Sequence, residues 1–140
     1  MKTLFQLHPK LNQDCISLGR FDLCQLLMMN DNQYPWFILV PQIDNIKEIY
    51  QLTNTDRLTL CEESNYLAEN LATLYNADKM NIAAIGNLVP QLHIHHVVRY
   101  QNDIAWPAPV WGKFTTIPYN PEQITDIIKR VKKQLITLKN

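Results

Sequence analysis

The sequence predicts a single α+β domain: an antiparallel sheet of about five strands, a long helix covering it and a second helix near the C-terminal end. Three observations carry that expectation. Short apolar and β-branched runs bounded by turn residues recur through residues 15–40 and 80–99. One sustained helical stripe separates those two blocks, and another starts at Asn120. The order strand, strand, strand, helix, strand, strand has mostly close turns, which suit antiparallel neighbours. At 140 residues the chain has the length of one ordinary domain, so residues 1–140 are expected to share one core.

Taken in order, residues 4–7 read as a short strand or arm that His8-Pro9 breaks, because a residue before proline is pushed out of helical geometry. Residues 15–18 and 21–29 read as a hairpin joined at Gly19-Arg20. Asn30-Asp31-Asn32-Gln33 is a turn cluster. It leads into Trp36-Phe37-Ile38-Leu39-Val40, apolar enough for a central strand, which Pro41 closes. Asp44 is a candidate N-cap for a short helix with Ile46, Ile49 and Tyr50 on one face. The long helix is expected over 55–75, where Leu60, Ser64, Leu67, Leu71 and Leu74 recur at offsets of four and three, with Glu62, Glu63 and Glu69 outside the stripe. Residues 80–85 return to strand composition, and Gly86-Asn87 turns the chain.

Residues 103–112 are too proline-rich for a regular element, and their Trp106 and Trp111 point to an ordered loop or docking tail. Asn120, Pro121 and Gln123 form a capping-box start for a helix over 120–139 carrying Ile124, Ile128, Val131, Leu135 and Leu138. Its Glu122 and Asp126 lie early and Lys129, Arg130, Lys132 and Lys133 late, as the helix dipole favours.

Lys and Arg number 13 and so do Asp and Glu, so no net field argues for nonspecific binding to nucleic acid or to an anionic membrane. Cys15, Cys24 and Cys61 are an odd count without CxxC spacing, which suits reduced thiols in a cytoplasmic protein better than a disulfide framework. Gln6, His8 and Lys10 interrupt the N-terminal apolar residues, so no signal peptide is expected. The longest apolar runs, 26–29 and 36–41, are too short to span a bilayer.

The chemistry concentrates in Gln91-Leu92-His93-Ile94-His95-His96-Val97-Val98-Arg99, read as a strand. Alternation puts Gln91, His93, His95 and Arg99 on one face and Leu92, Ile94, His96 and Val98 on the other. A neutral imidazole is a competent nucleophile toward phosphorus, since an ordinary pKa of about 6.5 leaves much of it unprotonated near neutrality. A second imidazole two residues on, about 7 Å along the strand, supplies a donor where phosphate oxygens would lie. The spacing favours phosphoryl or nucleotidyl transfer, with the Gly86-Asn87 turn able to approach the same phosphate. His-x-His is also a metal spacing, which leaves a metal-binding enzyme using His93 and His95 as an alternative.

The segment from Asn81 to Arg99 resembles the signature of the histidine triad (HIT) superfamily, in which histidines alternate with apolar residues after a Gly-Gln or Gly-Asn turn. Asn30-Asp31, Pro35 and 38–41 resemble that family's ribose-binding position and following strand, and Trp106-Pro107 is similar to a Trp-Pro element found in part of it. The likeness spans about residues 5–112 and is nearest to bacterial diadenosine tetraphosphate hydrolase-like members. It implies a HIT-like fold and a nucleotide hydrolase or transferase of phosphoramidase or dinucleoside polyphosphate type. His93 would attack the α-phosphate to give a nucleotidyl-histidine, and His95 would bond the phosphate. Gln91 would stand where the family has its first histidine. Asn87 would contact the α-phosphate and Asn30 or Asp31 the ribose, with Asn81, Arg99 and Trp106 nearby in the nucleotide site. His96 would face the core or an interface. A homodimer is implied, with a nucleotide as the substrate and neither metal nor cofactor required. A nucleotide-binding sensor without turnover is the remaining alternative.

Overall fold

The computed structural model describes residues 4–140. Five strands form one antiparallel sheet, β1 (Cys15–Arg20), β2 (Cys24–Met29), β3 (Trp36–Pro41), β4 (Lys79–Ala83) and β5 (Ile94–Arg99), in the order β1-β2-β3-β5-β4. Three α-helices accompany them: α1 (Pro9–Asp14), α2 (Asn54–Tyr75) and α3 (Pro121–Gln134). The α+β architecture and the antiparallel sheet agree with the sequence expectation.

The central strands of the sheet are buried on both faces. Leu26, Met28, Phe37, Leu39, Ile94 and Val98 enter one core with Leu60, Leu67 and Leu71 of α2 and Ile127 and Val131 of α3. Leu27, Trp36, Ile38, Val40 and Val97 enter a second core on the opposite face, with Leu11 of α1 and Val110. Double burial explains why β3 reads as a continuous apolar run rather than an alternating one. The Thr53 hydroxyl caps α2 by accepting from the Asp56 N–H, and Asn76 at φ 50 ends it in left-handed geometry. At α3 both bonds of the Asn120–Gln123 capping box are present. Among the described residues no helix is long and apolar enough to cross a membrane.

Several boundaries differ from the sequence reading. His8-Pro9 does not merely break the arm: His8 caps α1 and Pro9 occupies its first turn. The hairpin turns at 21–23, and Gly19 instead lies within β1, where the register shifts. Gly19 has φ 131, and a Cβ there would lie 2.1 Å from the Lys139 carbonyl oxygen. That carbonyl accepts from the Arg20 N–H and the Lys139 N–H returns a bond to Arg20, each at 2.8 Å. The helix at Asp44 is absent, replaced by a single 3-10 turn at Ile49–Gln51 that Glu48 caps. Finally α3 stops at Gln134, short of 139, so that the last residues can pair with β1.

Candidate functional site

β5 starts at Ile94, so His93 sits at its mouth and His95 within it, while His96 points through the opposite face. Pairing of His95 with both Ile38 of β3 and Ala83 of β4 fixes the strand's direction and therefore which face each imidazole takes. All three are nearly inaccessible, at 6%, 5% and 0% exposure.

His93 Nδ1 lies 2.7 Å from the main-chain carbonyl oxygen of Gln91. A carbonyl only accepts, so Nδ1 carries the proton and Nε2 presents a lone pair. Burial pushes the His93 pKa below its ordinary value and the nearby His8 charge adds to that, opposed by the Gln91 bond. His95 is fixed in the reverse tautomer. Its Nδ1 is 3.0 Å from Trp36 Nε1, an indole N–H that can only donate, so the His95 proton is on Nε2. That proton faces the main-chain carbonyl of Ile85. Burial, reinforced by His93, lowers the His95 pKa to about 3, which keeps the ring neutral. The two rings are 5.0 Å apart.

Residues 84–90 cover this pair. A Cβ on Gly86 would crowd the Val89 carbonyl oxygen at 3.1 Å and would lie in ordinary contact with His93 Cε1 at 3.7 Å, so the glycine eases the loop's own fold where it passes over the ring. A cavity of about 170 Å³ opens here between Lys47 and Glu48 on one side and Gly86, Asn87 and His93 on the other. Trp111 packs edge-on against the pair from outside this cavity, its ring 5.5 Å from His95 and 5.9 Å from Trp36.

Gln91 lies beside His93, but its side chain serves the N-terminal arm: Oε1 accepts from the His8 N–H at 2.8 Å and Nε2 donates to the Gln6 carbonyl at 2.9 Å. Asn87 is exposed on the cavity rim. Arg99, Asn81 and Trp106 form a separate cluster. The buried Arg99 guanidinium bonds both Asp103 oxygens at 2.8 and 3.1 Å and Asn81 Oδ1 at 2.8 Å, and lies 5.4 Å from the Trp106 ring centre. Asn30 and Asp31 are not drawn to the histidines. In-register pairing sets Leu27 opposite Ile38 and Ile38 opposite His95. Asn30 and Asp31 follow Met29, the last residue of β2, in irregular backbone beyond that register. Asn30 Oδ1 accepts from the Tyr119 N–H, and Asp31 Oδ1 accepts from Gln33 Nε2 and the Gln33 and Ile117 N–H groups.

His96 Nδ1 faces the Ile94 carbonyl at 3.1 Å and Nε2 the Ser64 hydroxyl of α2 at 2.7 Å. It belongs to the helix-side core, as strand alternation predicts. The sequence reading missed three neighbours of the pair, namely Trp36, the Ile85 carbonyl and His8, while the expected packing of the 103–112 loop is seen in Trp111 against His95. Trp36 had a signal in sharing the Ile38 face of β3, though an aromatic in an apolar run reads first as core. Among the described residues no group of three or more His, Cys, Asp or Glu converges to hold a metal, so His93 and His95 have no third ligand of that kind there.

Comparison with known proteins agrees with this fold. Solved histidine triad proteins from Marinobacter aquaeolei and Sinorhizobium meliloti superimpose with TM-scores of 0.94 and 0.92 at 49% and 41% identity. The first comparison covers 97% of this chain and 99% of that one, the second 94% and 97%. A third, from Bradyrhizobium japonicum, is 34% identical with TM-score 0.92 over 95% of this chain and 99% of that one. No curated protein matches the chain. The HIT domain matches residues 10–102, which takes in the arm helix, the whole sheet and both site histidines, and the chain belongs to the HIT family.

Proposed function

We propose that this chain hydrolyses a nucleoside phosphoramidate or dinucleoside polyphosphate at the α-phosphate through a nucleotide attached to His93. HIT proteins are generally nucleotide hydrolases or transferases. The observation that carries the reading is the 2.7 Å bond between His93 Nδ1 and the Gln91 carbonyl, which leaves Nε2 unprotonated in a ring that burial keeps neutral. The Nε2 lone pair forms an N–P bond as the bond from phosphorus to the leaving oxygen or nitrogen breaks, and the leaving group takes a proton from solvent. The ring is then cationic, and its Nδ1–H bond to the Gln91 carbonyl strengthens as that charge develops. Water attacks next: an O–P bond forms, the N–P bond breaks, the water proton leaves to solvent and His93 returns neutral.

In this reading a bound phosphate takes over the His95 Nε2–H from the Ile85 carbonyl, and Asn87 at the rim donates to the same phosphate. Gln91 keeps the family's first-histidine role through its main-chain carbonyl. Two copies are read as pairing, supported by β4 lying at a sheet edge with Ile82 48% exposed. Nothing in this chemistry calls for a metal or cofactor.

The test is a panel of nucleoside phosphoramidates and dinucleoside polyphosphates under strong chelation, with acid-quenched protein digested and analysed by mass spectrometry. The expected result is turnover with an added nucleoside monophosphate on the His93 peptide. A wild-type chain without turnover across the panel, or activity restored by only one metal, overturns the reading.

A further inference from the structure

We propose that His8 is a substrate-contacting residue of this site, its Nε2–H binding phosphate oxygens of the departing group, and that Gln91 holds it in place. The inference rests on the hydrolase reading and adds a third histidine to His93 and His95. Gln91 fixes two histidines at once. Its main-chain carbonyl holds the His93 ring at 2.7 Å, and its side-chain oxygen holds the His8 N–H at 2.8 Å. The amide nitrogen of the same side chain binds the Gln6 carbonyl, so the arm is clamped on both sides of Leu7. Phe5, Leu7 and Leu11 pack into the core on the face of the sheet that carries His93 and His95. His8 is thus pinned by its neighbours.

The ring itself has a defined tautomer. His8 Nδ1 accepts from the Lys10 N–H at 3.1 Å, which places the neutral ring's proton on Nε2. That N–H has no hydrogen-bond partner among the described residues, although the residue is half-buried. Because the Gln91 that holds the His8 N–H also holds the His93 ring, the two histidines lie at the same end of β5. A departing polyphosphate is more anionic than a departing amine, so a donor at this position favours the polyphosphate class of substrate.

His8 also caps α1, and an alanine there would confuse the two roles. His8→Asn and His8→Asp both retain a capping oxygen for the Lys10 N–H, yet differ in the charge they present to an anion. The experiment compares kcat and KM of both variants on diadenosine tetraphosphate and on an adenosine phosphoramidate with a neutral amine leaving group, with thermal midpoints measured in parallel. His8→Asp should lower kcat/KM on the tetraphosphate by about 10²-fold and His8→Asn by about 10-fold, with the phosphoramidate changed by less than about 3-fold. Gln91→Ala, which retains the carbonyl on His93, should give a tetraphosphate-selective loss that does not add to that of His8→Asn. Wild-type kinetics in both His8 variants, or equal losses on both substrates, overturn the role of His8 while leaving the hydrolase reading standing. A wild-type chain inactive on both substrates overturns the two together.

Discussion

His95 and His96 are adjacent in the chain, both nearly inaccessible and both held neutral, with pKa values lowered to about 3 and about 4 chiefly by burial. Their surroundings separate them. His96 is locked between the Ile94 carbonyl of its own strand and Ser64 of α2, with the packed helix-side core around it. His95 is held by Trp36 on one side and on the other faces a carbonyl of the 84–90 loop, next to His93 and the cavity. Burial and a depressed pKa therefore do not mark a site by themselves. What marks it is a ring whose partners include a loop that a ligand can displace, beside another ring with a free lone pair.

The largest expected effect falls on the cavity face. His93→Ala should lower turnover by at least about 10³-fold while AMP binding, followed by calorimetry, persists. Retained turnover would remove the chemical distinction between the two faces. Arg99 tests whether sharing the His93 face is enough to share its chemistry. Arg99→Met leaves Asp103 buried without its cation, and should cost about 3–5 kcal/mol in urea unfolding, a loss of stability rather than of a substrate contact.

The next effect is one of pH. His96 is neutral when folded but accepts a proton near pH 6.5 when unfolded, so acid favours the unfolded chain. Its contribution is fully present above about pH 6.5 and is lost progressively as the pH falls toward 4, by roughly 3 kcal/mol in total. Denaturant titrations of wild type and His96→Gln across this range should show a shallower acid limb in the variant. The smallest effect belongs to Ser64→Ala, which deprives His96 Nε2 of its partner and should cost about 1–2 kcal/mol with kcat/KM unchanged. A comparable loss of activity would mean that the helix side reaches the chemistry after all.

Strand alternation was enough to part His93 and His95 from His96, because a period of two is local. The β3 run and the Leu60–Leu67–Leu71 stripe were legible for the same reason. The contacts that finish the site were not. Trp36 reaches His95 across 59 positions and Gln91 reaches His8 across 83, and no local pattern encodes such pairings. α1 has six residues, too few to show a helical period, so His8-Pro9 read as a break instead of a cap. Asn30 and Asp31 have the side chains that a ribose would need, but the same oxygens suit a turn, and here they hold the segment at 115–119. The apolar series through Leu135 and Leu138 continues past the end of α3, because burial of those residues does not require them to be helical.

One consequence lies far from the histidines. β1 is an outer strand of the sheet, and such a strand can recruit a second chain through its free main-chain groups. The backbone of Lys139 occupies those groups at Arg20, and it fits only because Gly19 has no side chain. This tail is thus a guard against aggregation. A Gly19→Ala chain, with its tail displaced, should remain catalytically competent when dilute and fail by clumping as its concentration rises.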